Sequence, residues 1–307
     1  MISNLFSKSK PINYIVVSLI LLLVFVGARY DVLVNEVSVL NLSKQLGLFL
    51  VALLSVFVFD FFVSRNSLTK KNSYNILLFV LFFAILPQTI SNSEILFANF
   101  FVLLALRRLI SLRTQKDVKK KLFDASFWIA IATLCYFWAA IFMILIFAAL
   151  LIYAITDIKN YIIPFVGVIC VAVLVTSFLI IRESDIILFA NNLYGISLDF
   201  SPLNSKQIII GSTLLLSFGL WSLFYYVKNI KSQMKTYRPS FKLVLIAVFL
   251  GLIIIAVAPF KTGSEFIFIF APLSIIVTNY LEVISDNWFK ETLLWVFVLT
   301  PIALLVL

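Results

Sequence analysis

The sequence predicts an all-α, polytopic transmembrane helix bundle of about eleven spans, with residues 1–307 forming a single integral membrane domain. Three observations predict it. The 307-residue chain is 63% hydrophobic and 12% charged, with a mean hydropathy of +1.13. A water-soluble domain of that composition would be covered in apolar patches. Apolar runs of about 20 residues, long enough to cross a bilayer, recur from end to end. Basic residues gather in the breaks between runs: nineteen fall on one side of the map and five on the other. This bias places the N-terminus in the cytoplasm.

The stretch Arg107 to Lys121 fixes the inside, because seven cations and one acid in fifteen residues cannot lie in hydrocarbon. Lys8 and Lys10 hold the N-terminus on that side before a retained first span, Pro11 to Ala28. Residues 29 to 44 then emerge outside, where Val32, Leu33, Val37 and Leu40 suit a short helix on the membrane surface. Leu46 to Val63 returns to the inner loop of Arg65, Lys70 and Lys71. Asp60, near the end of that span, is expected to stay hydrated or to pair with Arg65.

Tyr74 to Ile90 is broken near its outer end by Pro87, and Ile95 to Leu106 runs back into the central basic stretch. Asp124 to Ile155 is too long for one ordinary span, and the charge rule requires two crossings that turn near Phe137 and Trp138. Tyr161 to Ile181 leads out to residues 182 to 207, and Ile208 to Val227 leads back to the loop of Lys228, Lys231, Lys235, Arg238 and Lys242. Leu243 to Pro259, the outer turn FKTGSE, Phe266 to Ile284, the inner Lys290 and Thr292 to Leu307 complete the order. Asn99 and Asn279, inside spans, are expected to hydrogen-bond between helices.

The net charge of +10 does not point to nucleic acid, because the cations sit in short loops where they set orientation and meet anionic headgroups. The absence of histidine removes the commonest general base and metal ligand. Cys135 and Cys170 lie inside apolar runs, so no disulfide framework is readable. The span centres are nearly free of ionisable groups, which argues against an ion-coupled transporter. Polar groups gather instead at the outer face: Arg29, Asp31, Glu36, Glu94, Arg182, Glu183, Asp185, Asp199, Lys261 and Glu265. There a cation can hold a phosphate while a carboxylate takes a proton from an acceptor hydroxyl. In FKTGSE, a lysine beside Thr262, Gly263 and Ser264 resembles a small anion-holding turn.

The segments RYDVLVNE, LFDASFWIAIATLCYFWAAIF and KTGSEFIFIFAPLSII follow an order that resembles the core of the polytopic GT-C glycosyltransferases, which use polyprenyl-phosphate sugars. That resemblance implies Asp31 as the base and Glu36 as a second carboxylate, with Arg182 and Lys261, together with Glu265 in the same turn, at the substrate phosphate. Asp31 is followed by Val32 where that family often pairs two acids. No metal or other cofactor is assigned, and only the GT-C resemblance leaves room for a divalent ion. Across nearly its whole length, through ANFFVLLALRRLISLR, KLFDASFWIAIATLCYFW and FKTGSEFIFIFAPLSIIVTNYLE, the chain more closely resembles an uncharacterised family of Bacteroidota multi-pass inner-membrane proteins. This implies the bacterial cytoplasmic membrane and no particular activity.

Two functions follow as expectations. One is a GT-C-like transferase acting at the outer face on a polyprenyl-phosphate-linked sugar. The other is a non-enzymatic scaffold or component of an envelope assembly. Membrane lipid is an expected partner of either, and membrane proteins are expected partners of the second; a transporter ranks below both.

Overall fold

The computed structural model describes residues 1–35, 38–182 and 195–306, and every regular element among them is helical. In order these are α1 (Ile2–Phe6), α2 (Pro11–Ala28), α3 (Tyr30–Asn35), α4 (Val39–Arg65), α5 (Tyr74–Ile85), α6 (Gln88–Ser91) and α7 (Ser93–Ser111). There follow α8 (Val118–Cys135), a 3-10 segment Phe137–Phe142 running into α9 (Met143–Ile152), α10 (Lys159–Ile181), α11 (Lys206–Ile230) and α12 (Arg238–Val257). A 3-10 turn Ser264–Phe266 then leads into α13 (Ile267–Val283), and α14 (Asn287–Val306) follows. Among the described residues, seven helices are long and apolar enough to cross a membrane; α5 and the Phe137–Ile152 segment are apolar but shorter.

The core sits on α5 and α13. α13 is apolar around its whole circumference, as a helix surrounded by other helices must be, and it packs against α5, α7, α11 and α12. Phe82 and Phe83 of α5 meet Phe270 of α13 edge-on, at 5.7 and 5.4 Å. The span beginning at Ser264 is 89% buried over its most apolar window, against 17% for α10 at the periphery. α10 lies on α8, which in turn lies on α7. The α8–α10 crossing is tight because Gly167 has no side chain: a Cβ there would stand 2.0 Å from Ser126 Oγ and 3.1 Å from the Phe123 carbonyl.

The loops collect at two ends. At one, which we call the basic end, the Ser73 amide donates to the Phe6 carbonyl, Tyr153 Oη meets Ser240 Oγ at 3.0 Å, and Gln115 donates to the Tyr153 carbonyl. At the other, the α2–α3 junction, α6, the α8–α9 break and residues 195–205 and 258–266 come together.

Several boundaries differ from expectation for physical reasons. α4 begins at Val39 rather than Leu46, because Ser38 caps it by accepting from the Asn41 amide at 3.1 Å. Residues 29–44 are therefore split between α3 and the start of α4. The helix break expected near Phe137 falls at Tyr136, and α8 reaches back to Val118, taking Lys119, Lys120 and Lys121 into its first turn. Pro87 ends α5 at Ile85. Asp60 does not pair with Arg65; it is buried and accepts from Tyr14 Oη at 2.7 Å and Asn75 Nδ2 at 3.1 Å. Neutral donors replace the cation because Asp60 faces α2 and α5 while Arg65 is exposed. Asn279 bonds across to the Leu68 carbonyl at 2.9 Å, whereas the buried Asn99 Nδ2 has no partner.

Candidate functional site

A cavity of about 730 Å³ opens at the end opposite the basic loops. Its polar lining comes from Lys44 in the second turn of α4, Ser93 and Glu94 in the first turn of α7, and Tyr136 and Trp138 at the α8–α9 break; Phe97, Phe137 and Phe260 supply aromatic wall. The local sequence explains each placement. Asn92 caps α7 by accepting from the Ile95 amide at 3.1 Å, which starts the helix there and puts Glu94 at its positive pole. Tyr136 leaves helical geometry at φ −149°, and its ring stacks on Phe268 of the central α13 with centroids 5.7 Å apart. Trp138 is held edge-on by Phe137 at 5.7 Å.

Two features mark this cavity chemically. Tyr136 Oη and Trp138 Nε1 are buried without a hydrogen-bond partner, a costly state that an acceptor-rich ligand would relieve. Lys44 and Glu94 are exposed and form no ion pair with any described residue. One lining thus brings together an exposed cation, an exposed carboxylate and several aromatic rings, with two unpaired donors buried in the residues of its wall.

The frame around the cavity uses buried charge as mortar. Arg29 donates to the Ile90 carbonyl from Nε and Nη2 (3.1 and 2.8 Å), to the Ser91 carbonyl (2.9 Å), to Gln45 Oε1 (3.0 Å) and to Ser93 Oγ (3.1 Å). It thereby satisfies carbonyls at the end of the short α6 and steadies the cavity rim. Ser264 Oγ holds α6 from the other side, donating to the Gln88 carbonyl at 2.8 Å.

The residues expected to act together are only partly united. Lys261 and Glu265 share one turn, next to the cavity wall at Pro259 and Phe260. Lys261 is buried; it donates to the carbonyls of Ser197 and Ala258 and lies 4.7 Å from the centre of the Phe200 ring. Glu265 is buried and accepts from the amides of Thr262 (3.3 Å) and Gly263 (3.0 Å), so the anion held by this turn is the chain's own carboxylate. Gly263 sits at φ +85°, a conformation that excludes most other residues. Asp31 is exposed on α3, does not line the cavity and has no hydrogen-bonding or ionic partner among the described residues. Arg182 is exposed at the end of α10, over the Phe178 ring at 5.1 Å. Glu36 lies outside the described residues. Exposed Asp199 is bonded by Ser201 N and Oγ, which hold its carboxyl below the usual range.

Lys44, Tyr136 and Trp138 were not legible as site residues. Lys44 and Glu94 are fifty positions apart, and only the packing of α4 on α7 brings them to one lining. The usable signal is Glu94 two residues after the helix-capping Asn92. Among the described residues no three His, Cys, Asp or Glu side chains converge to hold a metal ion, so no step is routed through one.

No curated protein and no solved structure matches the chain. A family model does, over residues 1–306, and the chain belongs to that family, a family of unknown function (DUF6427).

Proposed function

We propose that this protein is a multi-pass membrane transferase that takes a phosphate-bearing, lipid-linked substrate, such as a polyprenyl-phosphate sugar, in the cavity of Lys44, Glu94, Tyr136 and Trp138. Its setting is the bacterial inner membrane, crossed about eleven times with the N-terminus inside and the cavity outside, as the sided distribution of cations supports. The observation that carries the reading is the convergence, in one aromatic-walled cavity, of an unpaired cation and an unpaired carboxylate, with two orphaned donors in the residues of its wall.

The roles follow from the chemistry of each group. Lys44 neutralises the substrate phosphate, and the Tyr136 and Trp138 donors bond phosphate or sugar oxygens. Glu94 takes the proton of the acceptor hydroxyl as its oxygen attacks the anomeric carbon. The bond from that carbon to the phosphate oxygen breaks, and the lipid phosphate leaves with its charge held by Lys44. Lys261 and Glu265 are positioning residues that shape the loop carrying Pro259 and Phe260. Glu94 is favoured over Asp31 as the base because it lines the cavity.

The test is transfer from a polyprenyl-phosphate sugar to a soluble acceptor by purified protein in nanodiscs. Glu94→Gln is expected to lower turnover at least about a hundredfold with donor binding retained, and Lys44→Ala to weaken donor binding. Loss in Asp31→Asn but not in Glu94→Gln would move the base to α3. Full function of all three variants in cells would end the transferase reading in favour of a non-catalytic component of an envelope assembly.

A further inference from the structure

The basic end carries a second cavity, of about 550 Å³, at the seam of α7, α8 and α10. Cations line one side of it, with Arg108, Lys119, Lys120 and Lys121; Phe123, Ile163 and Val166 line the other. Most of the basic cluster is already committed. Arg107 lies over the Phe61 ring at 4.7 Å and Arg113 over Tyr237 at 4.1 Å. Lys121 donates to the Ser111 carbonyl and to Thr114 Oγ1, both at 2.7 Å, closing the end of α7. Of the two acids in the lining, Asp124 is bound by Arg108 at 2.8 Å, while Asp117 is only 3.9 Å from the solvent-exposed Lys120. Lys119 has no partner among the described residues, and it and Lys120 project from the first turn of α8.

The apolar side continues into a lipid-like face. On α10, Ile162, Phe165, Val166 and Ile169 are about half exposed, on a helix apolar enough to span a membrane. The tight crossing at Gly167 and Ser126 closes the seam just beyond the cavity, so the cavity lies between the cations and the half-exposed apolar face of α10. Cations at the end of a membrane helix, beside an apolar face, have the two-part chemistry of an anionic phospholipid: a phosphate head and acyl chains.

We infer that the α7–α8–α10 seam is a binding site for an anionic phospholipid, with Lys119 and Lys120 on the headgroup phosphate and Phe123, Ile163 and Val166 along the first acyl carbons. This site is remote from the proposed transferase cavity and does not depend on that reading.

The test is binding of phosphatidylglycerol to the full chain in mixed micelles, followed by native mass spectrometry. Saturable binding is expected, with phosphatidylcholine weaker. The double variant Lys119→Ala/Lys120→Ala should lower phosphatidylglycerol affinity about tenfold. Val166→Trp, at a half-exposed position, should fill the cavity and do the same while leaving the melting temperature unchanged. Lys228→Ala/Lys231→Ala, elsewhere on the basic end, should have little effect. The inference is overturned if that control pair weakens binding as much, if Val166→Trp has no effect, or if soluble glycerol phosphate competes as well as the lipid.

Discussion

At the basic end no described lysine or arginine is buried, whereas the cavity end, which has far fewer cations, buries both Arg29 and Lys261. The same side-chain chemistry therefore serves different purposes at the two ends. Where cations are plentiful none is buried, the distribution expected of loops whose charge sets their side of a membrane. Where they are scarce they are built into the fold, each bonded to backbone carbonyls that no helix satisfies. The acids at the basic end, Glu291 buried and Glu282 half-buried, are the counterpart. Glu291 accepts from the amides of Ile2 and Ser3, and Glu282 accepts from the Lys70 amide and Asn72 Nδ2. The density of charge along the sequence is thus a poor guide to structural weight: the most charged stretch buries none of its cations, and two isolated cations hold the cavity's frame.

The sharpest test of the comparison is whether the ends face opposite sides of a membrane. In a background with Cys135 and Cys170 replaced by serine, Phe260→Cys at the cavity end should react fully with an impermeant thiol reagent in intact spheroplasts. Met234→Cys, at the basic end, should react only after lysis; both positions are well exposed. Labelling of both, or of the second alone, would break the assigned orientation.

Next in size is removal of a buried cation. Arg29→Ala strands the Ile90 and Ser91 carbonyls and Gln45, and should cost about 3 kcal/mol, read as a clear fall in melting temperature in detergent. Lys228→Ala at the basic end should change stability by no more than about 0.5 kcal/mol. Equal effects would remove the distinction between the ends.

A smaller loss is expected in the turn beside the cavity. Glu265→Ala frees the Thr262 and Gly263 amides and should cost about 2 kcal/mol; Gly263→Val forces a branched residue to φ +85° and should cost roughly 1–2 kcal/mol. The smallest effect is local: Glu291→Ala should release α1 at a cost of about 1 kcal/mol. Faster hydrogen exchange over residues 2–6 with an unchanged melting temperature would show it.

Much of the fold was legible because a bilayer imposes local rules. Pro87 stops α5 and the over-long run from Asp124 divides at Tyr136, each readable from a short window, whereas α7 runs past Leu106 through Arg107 and Arg108 to Ser111. The start of α4 was less so, because SKQ looks like loop. Gln45 is buried, bonding Arg29 on one side and Asn41 on the other, and that burial depends on a neighbour across the fold. Asp60 was misjudged for the same reason: proximity in sequence suggested Arg65, while packing supplied Tyr14 and Asn75. At the site, the outer-face gathering of polar groups included Glu94, Lys261 and Glu265. It did not show that Lys261 is taken up by the Ser197 and Ala258 carbonyls and Glu265 by the amides of its own turn, or that Lys44 and Glu94 line one cavity.

The sequence by itself determined an all-α chain with helices long and apolar enough to cross a membrane, and their approximate order, because hydropathy partitions residue by residue between water and hydrocarbon. Only the tertiary structure decided which few polar groups are buried and paired and which are left to line a cavity. Those choices depend on which helices pack together, as α4 does on α7 and α8 on α10, and the composition of each helix carries no record of its neighbour.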